Sequence, residues 1–265
     1  ARNSVKTKGN NNATDFVSTP EGFKFLYDFF VKSESKDKLL IKASTKNNPF
    51  ISESYIQSLK DEYTPGQLAA YLEGEFVNLT SGTVYNSFDR IENHTDKEIQ
   101  AGQVLHIGLD FNIMNMAAVV HVIEDGNDYA LFEFSNEYNT ESLAASISRK
   151  FPNHTIIVYP DASGKNRKTS AAETDIDILK NAGFIVRALN SNPATKDRIN
   201  IVNKRFQNKT SFVNRFKCPE LIECLEQQPY KNGEPDKTVN LDHLPDAKGY
   251  FTYYNFQRKK RIVSI

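Results

Sequence analysis

Three aspartates sit where the chain pattern puts strand ends and a helix start, and their chemistry is that of hard oxygen ligands. Asp110 closes the apolar run VLHIGLDF (104–111), Asp161 closes TIIVYPD (155–161), and Asp246 lies within DHLPDAKGYF (242–251). Carboxylates of this kind suit magnesium or manganese. Phosphodiester hydrolysis with two such ions needs three or four carboxylates converging on one point, since the ions activate water and stabilise both the attacking and the leaving oxygen. Open α/β sheets gather ligands at the carboxyl ends of their strands. Two of these residues also have a plainer role open to them: Asp110 as a cap for the turn NIMN and Asp161 as part of the turn-forming PDASG. His243 lies three residues before Asp246 on nearly the same helical face, and Asp242 is expected to cap that helix. Leu244, Ala247, Phe251 and Tyr254 are expected to form its packed stripe, with Asp246 pointing off it.

Two further acids, Glu133 and Glu137, lie on or after the run YALFEFSNEY (129–138). Either could add a ligand. The alternation of that run does not choose between them, and a surface salt bridge is the plainer role. Lysines and arginines number 33 and aspartates and glutamates 33, so the formal charge is zero. The whole molecule therefore has no electrostatic pull on nucleic acid, and any DNA-binding surface must be local. Lys165, Arg167 and Lys168 form one such run, next to Asp161. Lys196 and Arg198 form a second, and Arg258, Lys259, Lys260 and Arg261 a third. Each could contact phosphates or be a solvated face.

The elements that must position these groups follow from periodicity. VLHIGLDF, MAAVVHVIED (116–125) and YALFEFSNEY are three strand-type runs. Asp125-Gly126-Asn127 marks a hairpin between the last two, and the four-residue link NIMN makes the first two antiparallel neighbours. TESLAASISRKF (140–151) reads as a helix capped by Thr140, and TIIVYPD as a strand covered on both faces. Then come a helix at 174–184 stopped by Gly183, a short strand at 185–189, a helix at 195–208, a strand at 211–216, a helix opened by Pro219, and a last helix from near Asp242. Three antiparallel strands followed by crossover units give a mixed sheet flanked by helices, the RNase H-like α/β plan, though several α/β folds share the pattern. Before a boundary near Gly74 to Gly82, the chain has a polar, Asn-rich start (1–14), a helix in GFKFLYDFFVKS, a short strand KLLIKAS (38–44), and two helices, one capped by Ser52 and one opened by Pro65. No apolar run approaches the roughly 18 residues of a membrane span. Cys218 and Cys224 are read as packing groups rather than a disulfide or zinc pair.

GLDF with its short hairpin, VYPDASG, K-x-R-I at 196–199 and HLPDAKGYF, in that order, resemble the nuclease domain of the large terminase subunits of tailed phages. The resemblance covers most of residues 81–257. It implies metal-binding roles for Asp110, Asp161 and Asp246, and His243 matches a histidine that some members use beside the last aspartate. Ser18-Thr19-Pro20-Glu21-Gly22 resembles the motif that closes the terminase ATPase core, and residues from about 42 to 76 resemble the linker to the nuclease. The domains expected are then the end of an ATPase core (1–45), a helical linker (46–80) and an RNase H-like nuclease (81–265). Such a protein would be a magnesium- or manganese-dependent endonuclease holding two ions and cutting concatemeric double-stranded DNA during packaging. Its implied partners are the small terminase subunit and the portal of the procapsid. The implied setting is the host cell cytoplasm, with no place in the mature virion. The chain lacks an initiating Met and reads as a piece of a longer one. The terminase P-loop is missing and SGKNRKTS (163–170) lacks its spacing, so no ATP site is expected. Two rivals remain: another RNase H-like enzyme, a transposase or junction resolvase, against which the STPEG and linker features argue; and a non-catalytic docking module of a packaging motor.

Overall fold

The computed structural model describes residues 15–18, 25–32, 35–62, 65–74, 82–112, 114–165, 173–231 and 233–257. The chain divides into two compact units, Ala1–Thr80 and Ser81–Ile265.

The first unit holds α1 (Phe25–Tyr27), which runs on into a π-helical turn (Asp28–Lys32), then α2 (Glu53–Glu62) and α3 (Pro65–Glu73). Ser52 Oγ accepts the Tyr55 N–H at 3.3 Å and so caps α2. Pro65 opens α3 at the position where its missing N–H costs nothing. Gly74, at φ +67°, ends α3 in the left-handed conformation. The strand expected at 38–44 is absent: the segment is irregular, with Leu39 75% and Ile41 78% exposed. A short apolar run becomes a strand only with a neighbour to pair with, and none of the described residues supplies one here. The segment is tied down instead by Ser44, whose Oγ donates to the Leu72 carbonyl of α3 at 2.8 Å.

In the second unit, β1 (Leu105–Asp110), β2 (Met116–Glu124), β3 (Asn127–Glu137), β4 (Ile156–Pro160), β5 (Ile185–Val186) and β6 (Ser211–Val213) form one sheet in the order β5-β4-β1-β2-β3-β6. The first three are an antiparallel meander, and Asp125 (φ +51°) and Gly126 (φ +79°) form the tight turn between β2 and β3. β4 lies parallel to β1, with Leu109 opposite Pro160, while β5 is parallel to β4 and β6 to β3. This is the mixed sheet of the RNase H-like plan. Two expected strands are shorter than their apolar runs, since β5 and β6 are edge strands that pair for two and three residues only.

Side chains alternate across the sheet. Leu105, Ile107 and Leu109 of β1 face α4 (Thr140–Lys150) and α5 (Asp175–Asn181), in a core with Leu143, Ile147 and Leu179. α4 is capped by Asn139, whose side chain accepts the Ser142 N–H, with Thr140 one place inside. The other face carries α6 (Thr195–Gln207), α7 (Pro219–Gln227) and α8 (His243–Phe256), packed on Ala117, Val119 and Ala130. His106, Gly108 and Asp110 of β1 belong to this second face. A two-residue-stranded hairpin, β7 (Tyr230–Lys231) and β8 (Glu234–Pro235), joins α7 to α8. No helix among the described residues is long and apolar enough to cross a membrane.

α8 is covered nearly all round rather than along a stripe: residues 244–252 are all buried. The cause lies in β1. A Cβ built on Gly108 would stand 2.0 Å from the Ala247 carbonyl oxygen and 3.0 Å from the Phe251 Cβ, so the helix backbone rests directly on the strand. Gly108→Ala should therefore push α8 off the sheet. The expected loss is about 3 kcal/mol or more of unfolding free energy, read by urea denaturation; a variant within about 1 kcal/mol of the native chain would mean that the helix can move aside.

Candidate active site

β1 ends on Asp110, and the chain of β4 runs on to Asp161, whose N–H donates to the Leu109 carbonyl at 3.0 Å. Since Leu109 pairs with Pro160, Asp110 and Asp161 follow as the next residues of adjacent parallel strands. Asp246 stands in the first turn of α8, one residue before the Ala247 carbonyl that touches Gly108. The three expected carboxylates are thus delivered to one end and one face of the sheet. Tyr250, one turn along α8, feels the charges of all three, which add to burial in raising its proton affinity.

Each carboxylate has a donor of its own. His243 Nδ1 donates to Asp110 Oδ2 at 3.1 Å, which leaves Nε2 to accept from the Asn112 amide at 3.1 Å. That bond, helped by the charges of Asp242, Asp110 and Asp246, raises the His243 pKa from its usual 6.5, against the pull of partial burial. Asp161 Oδ1 accepts from the Ser163 N–H and from the Asn192 amide, both at 2.6 Å, while Asn192 Oδ1 accepts the Ala162 N–H at 2.8 Å. Asp246 Oδ1 accepts from Arg198 Nη2 at 2.9 Å. Burial raises the Asp246 pKa to about 6; Arg198 opposes that shift and Asp110 adds to it. Lys237, 66% exposed, brings Nζ to 3.5 Å from Asp242 Oδ2 and 3.9 Å from Asp246 Oδ2.

The convergence is one of backbones and faces. Among the described residues no three His, Cys, Asp or Glu side chains come together as a set that could hold a metal ion in their present positions. The donor chemistry nevertheless suits a divalent cation. All three groups are hard oxygen ligands, and the charge of Asp110 adds to the burial that raises the Asp246 pKa.

Other expectations meet a different arrangement. Arg198, expected beside Lys196 as a DNA contact, is only 4% exposed and its guanidinium is taken up by Asp246 and by the Tyr250 ring at 4.2 Å, so it offers nothing to a phosphate. Lys196 is exposed at the start of α6. Lys165 ends the 3-10 turn that follows Asp161, whereas Arg167, Lys168, and Arg258 to Arg261 lie outside the described residues, as do Thr19 to Gly22 of the STPEG segment. Asp242 sits at the helix N-cap position but its side chain makes no capping bond. Glu133, expected as an added ligand or a surface salt bridge, instead accepts the Glu220 and Leu221 N–H groups at 2.9 and 2.8 Å, capping α7. Glu137 pairs across the sheet with Met116, on the opposite face from the aspartates, and accepts from Ser142 Oγ at 3.0 Å. Asn112, Asn192, Lys237 and Tyr250 were not singled out in the sequence. Asn192 lies in a plain turn, SNPAT, and carries no spacing signal; Tyr250 could have been found, four residues after Asp246 on one helix face.

The family model described as "Terminase large subunit, T4likevirus-type, N-terminal" matches residues 1–90. No curated protein matches the chain. Among solved structures, the large terminase of a thermophilic bacteriophage aligns at 17% identity with a TM-score of 0.53, covering 89% of this chain and 60% of that one. The nuclease domain of the P22 large terminase aligns at 17% identity and a TM-score of 0.53, covering 66% of this chain and 91% of that one. At such identities the likeness is one of fold, and the fold is the RNase H-like one of terminase nuclease domains. The chain spans 60% of the length of the thermophilic phage's protein. The resemblance to terminase large subunits thus has support from both ends of the chain, by sequence over its first third and by fold over the rest.

The Glu133 cap carries a pH signature. Burial raises its pKa from the ordinary 4.5 to about 7, against the two N–H bonds that lower it. A folded-state value above the unfolded one means that its contribution to stability is full below pH 4.5 and is lost as pH rises toward 7. Glu133→Gln removes that titration and keeps one acceptor. Measured by urea denaturation, the stability of the variant relative to the native chain should move in the variant's favour, on the order of 1–3 kcal/mol, between pH 5 and pH 8. A difference that stays flat with pH would show that Glu133 is already ionised at pH 5.

Proposed function

We propose that this chain is the nuclease-bearing part of a phage terminase large subunit, a divalent-metal-dependent endonuclease that cuts concatemeric double-stranded DNA during genome packaging. The observation that carries the reading is the juxtaposition of Asp110 and Asp161 at the ends of adjacent parallel strands, beneath the helix that bears Asp246. Residues 1–45 would be the end of the ATPase core, 46–80 the linker and 81–265 the nuclease. ATP hydrolysis would belong to a part of the motor outside this sequence. The small terminase subunit, the portal of the procapsid and a cytoplasmic setting in the host follow from the same reading.

Asp110, Asp161 and Asp246 would hold the cation, magnesium or manganese, and the expected number is two. Bound there, it would supply a Lewis acid that offsets the charge on the attacking and leaving oxygens of the phosphodiester. The protein's own task is orientation. Asn192 and the Ser163 N–H fix one oxygen of Asp161, and His243 fixes one oxygen of Asp110. His243 holds its Nδ1 proton toward Asp110, which leaves Nε2 as the ring's proton acceptor. Lys196 and Lys165, with Arg167 and Lys168, are the groups proposed to meet the DNA backbone, and such contacts position a duplex without reading its sequence. No covalent intermediate with the protein is needed.

The test is nicking of supercoiled plasmid by the 265-residue chain in magnesium or manganese, with and without EDTA, beside Asp161→Asn. The expected outcome is nicking that EDTA abolishes and that Asp161→Asn lacks while keeping the native melting temperature. Activity that survives both would exclude this site, and joining of cut ends to a target duplex would favour a transposase.

A further inference from the structure

We propose that Arg198 is a positioning residue: it clamps one oxygen of Asp246 so that the other stays turned to the site, and thereby sets how tightly the site takes a divalent cation. The inference rests on the reading of the site given above.

The geometry distinguishes this ion pair from one that only fastens the fold. In the Arg90–Glu226 pair, Nε and Nη2 meet Oε1 and Oε2 separately, at 2.6 and 2.5 Å, so both carboxylate oxygens are used. Arg198 uses one nitrogen on one oxygen, Nη2 on Asp246 Oδ1 at 2.9 Å. Its Nε is buried without a hydrogen-bond partner among the described residues. A guanidinium is shaped for two parallel bonds to a carboxylate, and Arg198 gives Asp246 only one of them, so the second carboxylate oxygen is not engaged by the arginine. Asp246 Oδ2 is left with Lys237 at 3.9 Å, a lysine that is 66% exposed and able to withdraw into solvent.

Arg198 is itself held rigidly. It comes from the first turns of α6, its guanidinium lies 4.2 Å over the Tyr250 ring, and its Cβ and Cδ pass 3.5 and 3.6 Å from where a Cβ on Gly249 would be. The clamp therefore joins α6 to the turn of α8 that carries the carboxylate. A ligand oriented by a fixed partner binds more tightly than one free to rotate, and loss of such a partner weakens metal affinity about 10–100-fold.

The experiment follows manganese binding to the full chain by the rise in melting temperature, with plasmid nicking in parallel. The variants are Arg198→Met, which keeps the length of the side chain, Arg198→Lys, which keeps the charge without the planar fork, and Arg90→Met as a half-buried arginine outside the site, paired with the buried Glu226. The manganese concentration needed for a given rise in melting temperature should increase about tenfold or more in Arg198→Met and by a smaller factor in Arg198→Lys. Arg90→Met should lower the metal-free melting temperature and leave that concentration unchanged. A native manganese response in either folded Arg198 variant would overturn the proposal, and so would an equal shift in Arg90→Met. Should Arg198→Met fail to fold, Arg198→Lys decides. If the native chain responds to manganese and nicks DNA while the Arg198 variants behave like it, the positioning role alone falls. If the native chain shows neither response, the reading of the site falls with it.

Discussion

The close approach of α8 to β1 at Gly108 is the constraint on which the site depends. A residue with any side chain at that position would meet the Ala247 carbonyl. Because the helix can sit directly on the strand, Asp246 and His243 come down beside Asp110, and the His243 Nδ1–Asp110 Oδ2 contact closes at 3.1 Å. The same seating explains the burial of 244–252: a helix lowered onto a sheet and flanked by α6 and α7 has no free side left. Gly108 lies two residues before Asp110 on the same face of β1, so one strand supplies both the room for the helix and the group the helix must meet.

That seating puts charge into the interior, and the interior answers it with partners. Lys248 is fully buried, and its ammonium bonds to Asp128 Oδ2 at 2.8 Å. Burial lowers its pKa and Asp128 opposes the shift. Asp128 also accepts from Arg205 Nε at 2.7 Å and from Ser211 Oγ at 2.8 Å, so β3, β6, α6 and α8 meet on one carboxylate. Removing one member of such a group leaves an uncompensated charge, at a cost of about 3–5 kcal/mol. His121, stacked on Phe251 at 3.9 Å, has no hydrogen-bond partner for either ring nitrogen among the described residues, and burial holds it neutral. Two buried charge systems therefore lie along α8: the Asp128 cluster that fastens the helix, and the Arg198–Asp246 pair, joined by a single bond to one carboxylate oxygen. The contrast matters because a carboxylate that already accepts several bonds has fewer lone pairs left to offer a cation.

Much of this frame was legible in the sequence. The β1–β2–β3 meander, the covered strand β4 and the helices α4 to α8 follow from periodicity and turn chemistry, because burial on one face or two leaves a pattern in the residue types. GLDF, VYPD and HLPDAKGY marked the strand ends and the helix turn that converge. Where the reading failed, the cause was tertiary. KLLIKAS has the composition of a strand, but pairing is a property of two segments and the described residues provide no second one. Glu133 looked like any acid in an alternating strand, and only the arrival of Pro219 and α7 above it makes it a cap.

Arg198 shows most sharply where sequence reasoning stops. Its neighbour Lys196, two residues earlier, is exposed, whereas Arg198 lies inside. A helix turns by about 100° per residue, so two positions apart point to opposite sides. A basic pair at that spacing therefore cannot form one phosphate-binding face, and this much the spacing alone could have said. Which of the two turns inward follows from the apolar positions Ile199, Val202 and Phe206, which set the buried side of α6 and carry Arg198 with them. What no periodicity records is the partner waiting there. Asp246 is 48 residues away in the chain and reaches Arg198 only because α8 sits as low as Gly108 allows. The least legible contact of the site thus depends on the smallest residue of β1.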